Sequence, residues 1–142
     1  MIRRPPRSTL SSSSAASDVY KRQDEKGYVE TIFGRRLYVP NIHSGNAVVR
    51  KAAQRAAINA PMQGSAADII KLAMIDIDRW LQSNDLDALL LLQVHDELVF
   101  EVKEQDADLL SDGVRFRMMS AASIDVPLVV DVGLGSNWEQ AH

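Results

Sequence analysis

The sequence predicts an α+β fold, an antiparallel sheet with helices packed on one face. Three observations carry it. Residues 28–39 and 88–102 each hold two short strand-like runs so close together that they can pair only as antiparallel hairpins. Residues 47–81 carry Ala-rich and then amphipathic helical periodicity. Strand pairs and helices alternate along the chain with no internal repeat.

The first 23 residues, MIRRPPRSTLSSSSAASDVYKRQ, contain a Pro-Pro step and six Ser with no apolar period of 2 or 3.6, so they are expected not to fold. They are rich in Arg and Ser like a transit peptide but lack its amphipathic face. They resemble translated adapter-derived sequence, and we expect a non-native leader at 1–23 and a domain at 24–142. From Tyr28 to Ile32 and again from Arg36 to Val39 the residues are strand-formers around Phe33-Gly34, which predicts a short hairpin at 28–39. A loop from Asn41 to Gly45 leads into an Ala- and Val-rich helix from Ala47 to Asn59, which Pro61 should end or kink. A second helix is expected to begin near Ser65, with Asp68 three residues on in capping-box spacing. Ile69, Ile70, Ala73, Met74, Ile77, Trp80 and Leu81 then form its apolar face.

Asn84-Asp85 breaks that helix. The apolar runs 88–94 and 98–102 follow, read as a hairpin with both strands largely buried and His95-Asp96-Glu97 at its tip. A third helix is expected from Gln105 to Ala122, weakened by Gly113, with Ala107, Leu110, Val114 and Met118 on one side. A strand from Val126 to Val132 and a tail from Gly133 close the chain.

At 142 residues the chain is one ordinary domain. Its 46% hydrophobic and 25% charged residues exclude disordered and fibrous classes. With 0 Cys there is no disulfide, thiolate metal site or cysteine nucleophile, which fits a reducing, intracellular setting. The longest apolar stretch, Ala88 to Leu92, is far short of the roughly 20 residues of a membrane span. The net charge of −3 hides an asymmetry: +4 over residues 1–23, +3 over 24–61 and −10 over 62–142. A basic segment feeding an acidic remainder can set a phosphate-facing surface beside a cation-binding one; it also fits solvated faces that simply differ.

Two constellations bear on chemistry. Asp96 and Glu97 are adjacent carboxylates between apolar runs, costly to bury unless paired or metal-bound. Exposed at a turn they are ordinary turn residues; otherwise Asp96 is a ligand for Mg²⁺, a hard cation that takes few carboxylates and completes its shell with water and phosphate oxygens. His95 by itself reads as a polar tip residue. Arg55, Asn59 and Gln63 are spaced four apart and share one helical face if Pro61 only kinks the helix. One cation and two amides in line suit a duplex minor groove, where A·T and T·A present similar acceptors; they equally suit a solvated face. Arg35 and Arg36 beside Gly34 fit phosphate contacts or an exposed hairpin end.

The stretches GYVETIFGRRLYVPNI, RAAINAPMQGSAADIIKLAM, QVHDELVFEV and DVPLVVDVGLGSNWEQAH, together spanning residues 27–142 in order, resemble the C-terminal palm segment of bacterial family A DNA polymerases. Only the stretch from Gln105 to Asp125 matches loosely. The resemblance implies that Asp96 is one of two metal-binding aspartates, that Glu97 is an accessory metal carboxylate, and that both are catalytic. It implies that His95 lies near the primer terminus and that Arg55, Asn59 and Gln63 line the primer–template minor groove. It further implies two Mg²⁺ ions in the complete enzyme, primer–template DNA and deoxynucleoside triphosphates as partners, no membrane, and a bacterial cytoplasmic, nucleoid-associated setting. The other metal aspartate and the fingers and thumb segments have no counterpart here, so the 142 residues are expected to be inactive alone. The alternative is a non-catalytic primer–template duplex-binding module built on Arg55, Asn59 and Gln63. A metal phosphohydrolase is poorly supported, since only His43, His95 and His142 are available.

Overall fold

The computed structural model describes residues 2, 3 and 27–141. It has the expected class, helices with antiparallel strands; among the described residues the strands form three small two-stranded sheets and not one continuous sheet. The elements are β1 (Ile2–Arg3), β2 (Tyr28–Glu30), β3 (Arg36–Tyr38), α1 (Ala47–Ser83), β4 (Ala88–Val94), β5 (Glu97–Val102), a 3₁₀ turn (Glu104–Asp106), α2 (Ala107–Ser120), β6 (Asp131–Val132) and α3 (Trp138–Ala141). By its internal packing the chain divides between Asp68 and Ile69 into two compact units.

In the N-terminal unit β2 and β3 pair with Val29 opposite Leu37. Their link is a tight turn: the Thr31 amide donates to the Arg35 carbonyl at 2.9 Å, and Gly34 takes φ +78°, a value its lack of a Cβ permits. Asn46 caps α1, its Oδ1 accepting from the Val48 amide at 2.9 Å. Val29, Val39, Ile42 and Ala57 are the buried core, with Leu37, Ala53 and Ala60 packed on it. The helix thus gives this core only its alanines.

The largest departure from expectation is α1, a single helix of 37 residues with Pro61 inside it. No second helix begins at Ser65, and Ser65 and Asp68 do not form a capping box. Both sit mid-helix and serve the β2–β3 hairpin. Ser65 Oγ accepts from the Ile32 amide at 2.9 Å, and Asp68 Oδ1 accepts from Arg35 Nε at 2.8 Å. The hairpin closes on the helix where Gly64 leaves room: a Cβ there would stand 2.7 Å from Leu37 Cδ1 and 2.9 Å from Thr31 Cγ2. Packing of this kind outweighs the roughly 3 kcal/mol that proline costs a helix interior.

In the C-terminal unit Ile70, Ala73, Ile77 and Leu81 of α1 meet Leu98 of β5 and Leu110, Val114 and Met118 of α2. The 3–4 residue spacing on both helices is what puts these side chains on one face each. Gly113 belongs to this contact, since a Cβ there would run into the Trp80 ring. The Arg117 guanidinium stacks on the same ring at 4.3 Å from its centroid. Helix α1 ends as expected at Asn84-Asp85: Asn84 Nδ2 donates to the Trp80 carbonyl at 2.8 Å, and Asp85 takes φ +50°.

Strands β4 and β5 pair from Ala88–Val102 to Val94–Glu97. Leu91 is bulged out between the Leu90–Phe100 and Leu92–Val99 pairs. The expectation that both strands are largely buried is corrected here: Leu98 is fully buried, whereas Leu89, Leu91 and Leu92 are 61%, 51% and 40% exposed. One face of the hairpin packs on the core and the other is open. The strand expected from Val126 is reduced to Asp131–Val132, consistent with Pro127 having no N–H to give to a ladder. β6 pairs with β1, so Ile2 and Arg3 are strand residues within a stretch expected to be irregular; the rest of residues 1–23 lies outside the described residues. Among the described residues no helix is long and apolar enough to cross a membrane.

Candidate functional site

The continuity of α1 through Pro61 decides the geometry of the first constellation. With no break, Arg55, Asn59 and Gln63 advance by four residues on one helix and lie on one face. All three are exposed. Lys51 extends the row by a further turn, exposed as well. Arg50, next to it, is committed locally, donating to the Ser44 carbonyl at 2.9 Å. From Thr31 to Ala67 the sequence has five Lys/Arg and no Asp or Glu. That acid-free run is a signal the motif spacing alone does not convey.

The hairpin arginines are more occupied than an exposed loop end suggests. Arg35 pairs with Asp68 and also approaches the Gly64 carbonyl at 3.4 Å. Arg36 lies 4.7 Å from the centroid of the Tyr28 ring and 3.7 Å from Glu30. Its guanidinium is pushed above its ordinary value, chiefly by Tyr28 and then by a hydrogen bond to Tyr38, so it stays cationic. Thr31, Gly64, Ser65 and Asp68 form the seat that holds the hairpin on the helix. Their spacing in sequence gave no hint of this, because the Ser65–Ile32 and Asp68–Arg35 pairs are each 33 residues apart.

The second constellation lies in the C-terminal unit, at the β4–β5 turn. His95 and Asp96 form a two-residue turn between Val94 and Glu97, so Glu97 opens β5 instead of sitting at the tip. His95 takes φ +54°, a left-handed conformation uncommon for a residue with a side chain but one that tight two-residue hairpin turns call for. Gln93 Nε2 donates to the His95 carbonyl at 3.2 Å and fixes the turn from one side. The His95 side chain is exposed; Asp96 and Glu97 are partly buried. At the base of the hairpin Lys103 pairs with Asp87, whose hydrogen bond pushes the ammonium above its ordinary value.

Adjacent carboxylates on a tight turn can contribute ligands to a hard divalent cation, but a site needs more donors. Among the described residues no group of three or more His, Cys, Asp or Glu side chains comes together in a metal-holding arrangement. Asp96 and Glu97 are therefore at most part of a donor set. The three cationic and amide residues of α1 and the two arginines of the hairpin fall in the N-terminal unit, and His95, Asp96 and Glu97 in the other.

Comparison with known proteins gives this arrangement a context. The family model described as DNA polymerase family A matches residues 13–140, beginning inside the stretch taken above as a leader. The chain is 61% identical over 118 residues to DNA polymerase I of Pseudomonas aeruginosa, covering 83% of this chain and 13% of that protein. It is 47% identical over 124 residues to DNA polymerase I of Bacillus subtilis, covering 87% and 14%. Among solved structures it is similar to the POL domain of Pol1 from M. smegmatis in complex with DNA primer-template and dNTP. The TM-score is 0.86 at 49% identity, over 90% of this chain and 23% of that one. The chain thus spans about one seventh of the length of the curated relatives it matches. With a family match over nearly its whole length, the chain belongs to DNA polymerase family A.

Proposed function

We propose that this chain is the C-terminal palm segment of a DNA-directed DNA polymerase, acting in replication and repair, and that it serves two parts of the reaction. The observation that carries this reading is the uninterrupted α1, which sets Arg55, Asn59 and Gln63 on one exposed face within an acid-free stretch. Such a face offers donors to the minor-groove acceptors common to all base pairs, so it holds a duplex without reading its sequence. Arg36 and Lys51 add phosphate contacts, and Arg35 works through Asp68 to hold the hairpin in place. The strained His95-Asp96 turn, with Glu97 beside it, stands at the primer terminus. The relative bound to primer–template and dNTP supports this reading.

The reaction of the complete enzyme joins the primer 3′-oxygen to the α-phosphorus of a deoxynucleoside triphosphate. The bond from that phosphorus to the β-phosphate bridge breaks, pyrophosphate leaves, and the hydroxyl proton passes to solvent. Divalent ions, two Mg²⁺ in our reading, neutralise phosphate charge in this chemistry. The two carboxylates present here do not make a complete site for them. No catalytic step is assigned to this chain by itself, and we expect it not to extend a primer alone.

The test is a chimera in which residues 27–142 replace the matching segment of the Pseudomonas aeruginosa relative. The chimera should extend a primer on a template. Asp96→Asn in it should reduce incorporation to background while primer–template affinity stays within about twofold. Template-dependent incorporation by the 142-residue chain alone, or full activity of the Asp96→Asn chimera, would overturn the reading. Undiminished duplex binding by a chimera that never incorporates would favour a non-catalytic duplex-binding module.

A further inference from the structure

Pro61 gives α1 a weak point inside the N-terminal unit. Proline has no N–H to donate to the Ala57 carbonyl one turn back, and its ring crowds that same carbonyl. Gly64, among the poorest helix formers, follows within a turn. Left to itself, a helix kinks or breaks at such a place. The β2–β3 hairpin touches α1 on both sides of it. On the N-terminal side Ala53, Ala57 and Ala60 pack with Val29, Val39, Ile42 and Leu37. On the C-terminal side Gly64 lies under Leu37 and Thr31, Ser65 Oγ accepts from the Ile32 amide at 2.9 Å, and Asp68 accepts from Arg35 at 2.8 Å. Leu37 thus bears on the helix both before and after the proline. Arg55, Asn59 and Gln63 are exposed, turned away from the hairpin, and their row crosses the same point, with two members before Pro61 and one after.

We propose that the β2–β3 hairpin is a splint that keeps α1 straight through Pro61, and that Ser65 and Asp68 are positioning residues acting through it on the row of Arg55, Asn59 and Gln63. The inference rests on the function proposed above, in which that row holds the duplex; it adds what keeps the row in line. The two elements depend on each other. A two-stranded hairpin is marginally stable in water by itself, and the helix carries a proline, so neither is secure without the other. Lifting the hairpin removes the contacts that bracket Pro61, and a kink of more than about 20° there swings Gln63 out of line with Arg55 and Asn59. Ser65 and Asp68 are therefore placed to govern duplex binding without touching the duplex. A duplex that needs all three side chains at once binds only the straight form, and its apparent affinity scales with the population of that form.

The experiment uses the 142-residue chain, whose 0 Cys let Ala52→Cys/Ala67→Cys carry two spin labels and no others. Both positions are exposed on α1 within the N-terminal unit, and a straight helix sets them about 22 Å apart along its axis. Double electron–electron resonance should give one narrow distance distribution in the labelled parent. Ser65→Ala/Asp68→Ala should broaden it toward shorter distances and weaken binding to a labelled primer–template duplex by about tenfold, as when the straight form falls to about one-tenth of the population. Freeing Arg35 from Asp68 acts in the opposite direction, since it offers phosphate another cation, so the weakening cannot come from a lost charge contact. Adding Pro61→Ala should restore both the narrow distribution and the affinity, while hydrogen exchange at Ile32 stays raised because its acceptor is still missing. Exchange at Val114 of α2 reports whether the rest of the chain is folded; should the double variant fail there, Asp68→Asn takes its place with the same expected directions. A distribution that stays narrow without the anchors, or one that Pro61→Ala leaves broad, overturns the proposal. If the distribution broadens and duplex binding is parental, the proposal is overturned and the minor-groove reading stands. If the parent binds no duplex, or Arg55→Ala binds like the parent, that reading falls and the positioning role with it.

Discussion

Gly113 and His95 each break a rule of local structure, and each does so for a reason visible only in three dimensions. Glycine inside a helix costs about 1 kcal/mol relative to alanine, so sequence alone reads Gly113 as a weakness of α2. Its absent side chain is where the Trp80 ring sits, under the Arg117 guanidinium. Gly113→Ala should therefore destabilise the chain by about 1–3 kcal/mol through overpacking, despite its better helix propensity. Gly45→Ala, with nothing within 4 Å, should change stability by less than about 0.5 kcal/mol. Thermal unfolding of the two variants side by side checks this, and equal melting temperatures would refute the Trp80 contact. His95 spends backbone energy in the other direction, since a left-handed residue with a side chain costs roughly 1–2 kcal/mol. Offset by glycine's larger entropy loss on folding, His95→Gly should stabilise the hairpin by about 0.5 kcal/mol. In the chimera the same change should lower primer extension, and unchanged activity with unchanged stability would mean that the turn stores no strain for function.

At the level of elements, the hairpin β2–β3 and helix α1 form one seat held by two side-chain anchors. Ser65→Ala removes the acceptor of the Ile32 amide and should cost about 1 kcal/mol locally, raising hydrogen exchange at Ile32 by about fivefold while exchange in α2 is unchanged. Parental exchange at Ile32 would show that Ser65 does not carry the hairpin. Those anchors also explain what sequence could and could not reveal. Both hairpins, α2 and the break at Asn84-Asp85 were legible, because strand-formers around glycine, apolar residues at 3–4 spacing and an Asn-Asp stop are local signals. The fate of Ser65 and Asp68 was not. Three residues apart, they fit an N-cap and a helix face equally well, and their partners are supplied by the distant hairpin. Pro61 misled for the same reason: its cost is local, while the packing that outweighs it comes from elsewhere. The line of Arg55, Asn59 and Gln63 was legible as spacing, and only the unbroken helix made it a face.

For the molecule as a whole, charge is segregated along the chain while exposed apolar residues occur in both halves, and salt should act on charge and on apolar contact in opposite senses. The stretch Thr31–Ala67 is basic without acid, and the duplex affinity proposed for it should fall as salt rises. Residues 62–142 carry −10, and within them β4 exposes Leu89, Leu91 and Leu92 beside a groove of about 650 Å³ lined by Met74, Ile75 and Leu86. Two copies meeting through that face would bury apolar strand surface, a contact that exposed hydrophobic strands favour. Opposing it is the repulsion of two strongly acidic surfaces, which extends about 30 Å at 0.01 M salt and only about 8 Å at 0.15 M. The chain should thus sediment as a monomer at low ionic strength and associate progressively as salt is raised, while duplex affinity declines over the same range. Leu89→Lys/Leu92→Lys should abolish the association at every salt concentration and leave duplex binding within about twofold, because neither residue lies on the α1 face. Sedimentation velocity across the salt series separates the cases: association that weakens with salt would place it on the basic stretch instead, and a monomer throughout would show that the open face of β4 has no affinity for itself.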